Sequence, residues 1–125
     1  MLHYILIAVF GGIGALSRAV LSNWLNSATY PLGTLCANLL GCALLGIMTG
    51  IGLHSTLIPE HWRIPIATGF LGSLTTFSTF TLENLKLLEA QQWKLFLLHF
   101  LLQLLLGLLL AACGLYGSRL LLRSV

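Results

Sequence analysis

The sequence predicts an all-α membrane protein with four transmembrane helices in a single domain that spans residues 1–125. Its 125 residues are 58% hydrophobic and only 7% charged, whereas about a quarter of the residues in a soluble domain are charged. The mean hydropathy is +0.97. The chain also contains four apolar segments. Each is about 20 residues long, the length that a helix needs to cross a hydrocarbon core about 30 Å thick.

Short polar joints rich in Pro, Asn, Glu and Gln separate the four segments. The aromatic residues give independent support, because Trp and Tyr side chains favour the headgroup level of a bilayer. Every Trp and Tyr lies at an end of a segment, and all six Phe lie inside one. We therefore expect helices at approximately residues 4–24, 33–53, 66–88 and 95–116.

The charged residues and cysteines exclude several classes of function. The net charge is +3, but the six basic residues are scattered singly and form no stripe along a phosphate backbone, so nucleic acid is not an expected partner. The three cysteines form no C-x-x-C pair, which argues against a disulfide framework and a zinc site. The three acidic residues lie near predicted helix ends and offer no buried carboxylate pair for acid–base catalysis. The chain is therefore not expected to be an enzyme.

The basic residues also bear on orientation, because cytoplasmic loops of membrane proteins are normally richer in Lys and Arg. Three fall on each side: Arg63, Arg119 and Arg123 with the termini, and Arg18, Lys86 and Lys94 opposite. The tie leaves two alternatives open. Either the chain inserts both ways and pairs as antiparallel copies, or a longer flanking region or a partner protein fixes one orientation. Arg18 and Glu83 lie inside the segment boundaries, and each is expected to snorkel to an interface.

The third segment departs most from a regular helical pattern. Residues 68–81 read TGFLGSLTTFSTFT, with two glycines and a dense run of Ser and Thr. Glycine adds backbone freedom, and hydroxyls compete for backbone hydrogen bonds. The sequence therefore predicts a break in mid-membrane, which is tolerated where the backbone is buried in protein or lines a polar cavity. The alternative is an unbroken helix whose hydroxyls bond back to the preceding turn.

Single polar side chains interrupt the apolar second and fourth segments. Asn38 lies in mid-segment with Thr34 one turn earlier on the same face. His99 and Gln103 form a polar stripe, at a spacing of four, on a leucine-rich helix. Such stripes face protein or water rather than lipid. For Asn38, the alternative is that its amide simply joins two helices.

The third segment adds Ser78 and Thr79 to this set of neutral hydrogen-bond donors. A path of such donors suits a small, strongly hydrated anion, whose water shell must be replaced without trapping the ion on a fixed cation. Phe77 and Phe80 fall on one helix face, and the positive edges of their rings can meet an anion. Two core phenylalanines would have the same spacing.

The motifs of the first three segments are residues 11–15 with Arg18, 33–35 with Asn38 and Gly41, 69–72, and 75–80. Together they closely resemble the Fluc family of bacterial fluoride channels, and the length and hydropathy of the whole chain agree. The resemblance implies a multi-pass protein of the bacterial inner membrane that forms an antiparallel, dual-topology homodimer with two pores. It also implies passive fluoride export, which protects the cell against fluoride toxicity.

The resemblance further implies roles for individual residues. Phe77 and Phe80 would line the pores, with Asn38 as a donor beside them and Ser78 and Thr79 continuing the path. These roles come from the family's motifs and not from the spacing of the residues.

Two further sets of residues follow from the resemblance. Backbone carbonyls of Gly72 and Thr75 from both subunits would hold a structural sodium ion at the dimer centre. His99 and Gln103 would form a polar track in the fourth helix, beside the Thr34 hydroxyl that its position next to Asn38 already places among the donors.

Two other functions share the same length and hydropathy. A small dual-topology multidrug exporter would need a membrane-embedded acid to exchange a proton for a cationic drug, and the first helix contains none. A non-transporting membrane assembly subunit would use its small residues and Asn38 only to pack helices. The latter predicts no ion flux from the purified protein.

Overall fold

The computed structural model describes residues 1–54 and 57–123, and that part of the chain is almost wholly helical. Within it, the helices are α1 (Leu2–Leu25), α2 (Leu32–His54), α3 (residues 60–74), α4 (Phe77–Glu89) and α5 (Trp93–Arg123). An isolated antiparallel bridge between Asn26 and Pro31 closes the loop between α1 and α2. The prediction of an all-α chain is confirmed.

Three of these helices are long and apolar enough to cross a membrane, namely α1, α2 over Leu32–Leu53, and α5. The predicted span at residues 66–88 is not a single helix. It falls on α3 and α4, which two residues of extended backbone separate. A four-span arrangement fits this architecture when α3 and α4 are counted as one span.

Helix α5 differs most from its predicted bounds. It begins at Trp93 and continues to Arg123, instead of covering residues 95–116. Hydropathy measures the part of a helix that lies in hydrocarbon, whereas the helix itself continues while its residues favour it. The last turns contain Leu and Arg, which are good helix formers, and no proline. The observed ends of α1 and α2 lie within two residues of the predicted ones.

Two stretches of wider, π-helical turn occur inside these helices, at Pro65–Leu71 in α3 and Leu102–Leu106 in α5. In α3 the physical cause is Pro65, which has no N–H to donate and so forces the hydrogen-bond ladder to shift. In α5 the stretch contains Gln103, one of the predicted path residues. Single π-helical turns inside α-helices are frequent at functional sites.

Glycines allow α2 and the second half of α5 to approach closely. A Cβ atom at Gly46 would collide with the carbonyl of Ala111, and one at Gly114 would lie 2.6 Å from the carbonyl oxygen of Ala43. Small residues at such contacts permit the close packing that holds helices together in lipid. The contact fixes α5 along α2, so that polar side chains of both helices reach the same region.

The remaining helices are arranged around this pair. Helix α1 packs against the π-helical stretch of α3, while α4 packs against α2 and the first turns of α5. Arg63 ties the start of α3 to the end of α2, because its Nε donates to the Ile58 carbonyl and its Nη1 to the Gly52 carbonyl, each at 2.8 Å. Arg63 therefore fixes the start of α3 against the end of α2.

Candidate functional site

Thr75 and Thr76 have extended backbone between two helices, with φ/ψ of −116°/114° and −127°/112°. Extended residues can leave N–H and C=O groups outside the helical ladder. The Thr76 carbonyl still accepts from the Phe80 N–H of α4 at 3.4 Å, and the side chain of Asn38 pairs with both backbone groups of Thr76. Its Oδ1 accepts from the Thr76 N–H at 2.7 Å, and its Nδ2 donates to the Thr76 carbonyl at 3.4 Å. Asn38 is buried, so the amide of α2 acts as a pairing partner for this backbone.

The side chain of Thr76 organises the hydroxyls that follow it. Its Oγ1 caps α4 by accepting from the Thr79 N–H at 3.2 Å, and it donates to the Thr79 Oγ1 at 3.0 Å. The Ser78 hydroxyl lies 3.2 Å away. Sequence reasoning missed Thr76, although a hydroxyl residue three positions before Thr79, at the start of a new helix, is a recognisable cap pattern.

A cleft of about 370 Å³ opens beside this cap, and we call it the Phe77 cleft. Its lining residues are Asn38, Cys42, Thr75, Thr76, Phe77, Phe80, Gln103 and Leu104. The rings of Phe77 and Phe80 lie 6.0 Å apart. Phe77 is 80% exposed in the single chain, whereas Phe80 is 7% exposed. The structure thus brings four predicted path residues to one cleft, since Asn38 and Gln103 also line it.

Beyond Phe80 lies a buried polar group built from three helices. The Thr34 hydroxyl donates to Glu83 Oε1 at 2.6 Å, and His99 Nε2 lies 3.6 Å from Glu83 Oε2. The second distance fits an ion pair but is too long for a hydrogen bond. Thr34 and His99 are fully buried, and the Glu83 side chain is 14% exposed. We call these three side chains the Glu83 group.

The expectation that Glu83 snorkels to an interface is wrong. Its carboxylate turns inward, because Thr34 and His99 offer it polar partners there. Thr34 and Glu83 are 49 positions apart in the sequence, so only the packing of α4 on α2 reveals the pair. Arg18, which carried the same expectation, is half-buried, and its Nε has no hydrogen-bond partner within the described residues.

His99 connects the Phe77 cleft to the loop between α1 and α2. The ring of Phe80 lies 5.6 Å from the imidazole on one side, and the ring of Tyr30 meets it edge-on at 5.5 Å. Tyr30 belongs to that loop, where burial, followed by the nearby Cys36 thiol and the Glu83 carboxyl, raises the pKa of its phenol above the ordinary value of 10. The phenol therefore stays a neutral hydrogen-bond donor at physiological pH.

A second cleft, of about 340 Å³, lies at the loop, and we call it the loop cleft. The loop, the exposed side of α4 and the turn before α5 form its walls. The lining residues are Asn26, Ser27, Ala28, Thr29, Tyr30, Pro31, Glu83, Lys86, Leu87, Ala90 and Gln92. Because Glu83 lines this cleft and also contacts Thr34 and His99, the loop cleft adjoins the Glu83 group.

Several buried polar atoms in and around the two clefts and the Glu83 group have no hydrogen-bond partner among the described residues. They are Tyr30 Oη, Glu83 Oε2, Asn84 Oδ1, both ring nitrogens of His99, and Gln103 Oε1. Buried polar atoms in folded proteins are nearly always paired. The donors among them, the Tyr30 hydroxyl and the His99 ring, can therefore pair with water or with a polar species in the adjoining clefts.

Comparison with known proteins bears on the function of these clefts. A family model described as CrcB-like protein, Camphor Resistance (CrcB), matches residues 5–115. The chain belongs to the CrcB-like family. It is 44% identical over 92 residues to fluoride-specific ion channel FluC 2 of Symbiobacterium thermophilum, covering 71% of this chain and 75% of that protein.

Two relatives extend over nearly the whole of this CrcB-like chain. Fluoride-specific ion channel FluC of Nitratidesulfovibrio vulgaris is 40% identical over 123 residues, which cover 96% of this chain and 99% of the relative. FluC of Magnetococcus marinus is 42% identical over 118 residues, 91% of this chain and 95% of the relative. These matches confirm the resemblance that the motifs indicate.

The predicted residues of the CrcB-like chain occupy distinct places. Phe77, Phe80, Asn38 and Gln103 line the Phe77 cleft, with Ser78 and Thr79 at its cap, while Thr34 and His99 belong to the Glu83 group. Gly72 is exposed in the last turn of α3, and Thr75 is half-buried with its hydroxyl donating to the Leu71 carbonyl at 3.0 Å.

Proposed function

We propose that this chain is a subunit of a fluoride-selective channel that passively exports fluoride across the bacterial inner membrane and so protects the cell from fluoride toxicity. The observation that carries the proposal is a polar route through an otherwise apolar helical protein, from the Phe77 cleft past Phe80 to the Glu83 group and the loop cleft. Relatives of 40% identity or more, named fluoride-specific ion channels, supply the identity of the ion.

The chemistry of the route suits fluoride. The ion holds its water tightly, so each lost water must be replaced by a hydrogen-bond donor of similar strength. Ser78, Thr79, Gln103 and the free hydrogen of the Asn38 amide are neutral donors, which coordinate an anion without holding it permanently. The ring edges of Phe77 and Phe80, which line the Phe77 cleft, add a weak positive field there.

The Glu83 carboxylate lies on this anion route, and two polar side chains lie against it. Thr34 donates a short hydrogen bond to one carboxylate oxygen, and the His99 imidazole lies beside the other. Hydrogen bonds to a charged acceptor are the strong ones. Between these two side chains, the carboxylate holds the Thr34 hydroxyl and the His99 ring in place beside the route.

The functional unit in this proposal is an antiparallel, dual-topology homodimer. A single chain leaves Phe77 80% exposed and Gly72 exposed, on either side of the extended Thr75 and Thr76 backbone. Non-helical backbone in mid-membrane must be covered by protein or line a polar cavity, and Asn38 covers only one side of it. A second copy would cover the other side, and the tied charge count permits it to insert in the opposite orientation.

A structural sodium ion at the centre of the dimer is part of the same proposal. Thr75 has left the helical ladder, which makes its carbonyl available, and a Cβ at Gly72 would meet only the Ala67 carbonyl oxygen, at 3.6 Å. The described residues contain no cluster of His, Cys, Asp and Glu that suits a transition metal. Backbone carbonyls are suitable ligands for hard cations. Each of the two subunits would supply the carbonyls of Gly72 and Thr75, so that four carbonyls surround the ion at the two-fold axis.

Flux from reconstituted vesicles tests the proposal. Liposomes that contain the purified protein and potassium fluoride should release fluoride when valinomycin lets potassium follow, and matched vesicles loaded with chloride should retain it. Retention of fluoride would refute the channel and favour an assembly subunit. A proton-coupled exporter could use Glu83 as its buried acid, but it would need an imposed proton gradient and a cationic substrate. Fluoride release without a gradient excludes it.

A further inference from the structure

The loop cleft contains one cation among its lining residues, Lys86. Lys86 is exposed on α4, three positions after Glu83, which places the two side chains on neighbouring parts of the same helix face. No ion pair joins Lys86 to Glu83 in the part of the chain that the structure describes. The ammonium group is therefore available to an ion that enters the cleft from water.

Glu83 creates an electrostatic barrier at the same place. Glu83 lines the loop cleft, and its Oε2 atom is buried with no hydrogen-bond partner among the described residues. An anion that approaches the Glu83 group through this cleft meets a like charge in a partly dehydrated wall, where charges act more strongly than in bulk water. A cation within the cleft would offset that repulsion.

We propose that the loop cleft is an anion-collecting mouth of the conduction route, in which Lys86 offsets the charge of Glu83 and Tyr30 provides the first buried hydrogen-bond donor. Lys86 and Tyr30 have these roles only if the proposed channel function holds. Lys86 acts through its long-range field and raises the rate of anion entry. Tyr30 acts at contact, because its hydroxyl is buried, has no partner among the described residues, and adjoins His99.

The loop is built to hold Tyr30 in position. The Ser27 N–H donates to the Tyr30 carbonyl, and the Tyr30 N–H donates to the Ser27 hydroxyl, both at 3.0 Å. Asn26 Oδ1 accepts from the Gly33 N–H at 2.7 Å and so ties the loop to the first turn of α2. These bonds fix the phenol over the imidazole before any ion arrives, which lowers the cost of ordering the mouth.

The test compares Lys86→Gln with Lys94→Gln, a lysine that does not line the cleft. Fluoride efflux is measured from phosphatidylcholine vesicles, at fluoride concentrations where flux is proportional to concentration and at two ionic strengths set by a large impermeant anion. At about 10 mM salt, Lys86→Gln should be slower than the unaltered protein by about threefold, and at about 300 mM the two should converge as screening removes the field. Lys86→Arg should match the unaltered protein.

Equal flux of Lys86→Gln and the unaltered protein at low salt would overturn the role of Lys86, as would a deficit of the same size at both salts. A matching deficit in Lys94→Gln would also overturn it, because the effect would then belong to the general surface charge. If the unaltered protein releases no fluoride, the channel function itself fails, and that result is distinct from the others.

Tyr30→Phe provides an independent readout of the same mouth. It removes the hydroxyl and keeps the ring against His99, so flux should fall about fivefold at both ionic strengths, as expected for one lost hydrogen bond worth about 1 kcal/mol. Unchanged flux in this variant would remove Tyr30 from the mouth.

Discussion

The side chain of Asn38 is hydrogen-bonded to both backbone groups of Thr76, accepting from the N–H at 2.7 Å and donating to the carbonyl at 3.4 Å. A side-chain amide is the one neutral group that offers an acceptor and a donor side by side, as a strand backbone does. The pair lets the chain leave its helix inside the protein without unsatisfied backbone groups. Asn38 therefore supports the shape of the Phe77 cleft as well as lining it.

Replacing Asn38 with Ala should destabilise the fold by about 1–3 kcal/mol, because it leaves the buried Thr76 N–H unpaired, while the Thr76 carbonyl keeps the Phe80 N–H at 3.4 Å. Denaturant unfolding in detergent micelles measures the loss. Cys42→Ala is the matched control, since Cys42 lies one turn later on α2 and lines the same cleft. Equal stability of the two variants would contradict the bracing role of Asn38.

Loss of the cap at Thr76 should lower both the stability of the fold and the rate of fluoride efflux. Thr76→Val keeps the shape but removes the oxygen that accepts from the Thr79 N–H, so the fold should lose about 1 kcal/mol and fluoride efflux should slow several-fold as Ser78 and Thr79 lose their partner. Thr81→Val is the control, because its hydroxyl bonds back to the Phe77 carbonyl on an exposed face. Efflux in Thr76→Val equal to that in Thr81→Val would show that the cap does not orient the route.

The short bond between Thr34 and Glu83 predicts a third phenotype. Thr34→Val leaves a buried carboxylate oxygen without its donor, which should cost about 1.5–3 kcal/mol of stability and slow efflux. Thr34→Ser restores the hydroxyl and should recover most of both. Thr49→Val tests the background, since among the described residues the Thr49 hydroxyl bonds only to the Leu45 carbonyl of its own helix. A Thr34→Ser variant as impaired as Thr34→Val would point to packing instead of the hydrogen bond.

Close approach of α2 and α5 predicts that two neighbouring glycines respond differently to the same change. A Cβ at Gly114 would lie 2.6 Å from the Ala43 carbonyl oxygen and 2.8 Å from the Ile47 nitrogen, whereas a Cβ at Gly117 would meet nothing within 4 Å. Gly114→Ala should therefore cost about 1–3 kcal/mol through overpacking, and Gly117→Ala should be neutral or slightly stabilising. Thermal unfolding of the two variants measures the difference, and equal melting temperatures would contradict the packing.

Sequence reasoning succeeded where one physical quantity dominates. Apolar length places α1 and α2 to within two residues, because the bilayer sets the length of a span. It failed at the end of α5, since Arg119 and Arg123 continue the helix beyond the apolar stretch and helix propensity does not register as hydropathy. It also failed for Glu83, whose inward position depends on Thr34 and His99 from two other helices. No pattern within α4 encodes those partners.

The candidate site likewise contains residues that could be proposed from the sequence and one that could not. Asn38, Phe80 and Gln103 could be proposed from the sequence because polar side chains in apolar segments need partners, and the structure brings these three to one cleft. Tyr30 could not be proposed, because its role depends on a loop of Ser27 and Asn26 that folds over His99. Tertiary contact alone places that phenol at the route.

The most direct test of whether fluoride passes through the Phe77 cleft is fluoride efflux from vesicles that contain Phe80→Leu, with Phe96→Leu as the matched control. Phe80 lines the Phe77 cleft, and its ring lies 5.6 Å from that of His99. Phe96 is a half-buried residue of α5 whose ring contacts Phe100, and it does not line the cleft. Both variants should elute with the unaltered protein on size exclusion. We expect fluoride efflux to be about tenfold slower or more in Phe80→Leu, and to be unchanged in Phe96→Leu. Efflux from Phe80→Leu at the unaltered rate would mean that fluoride crosses elsewhere.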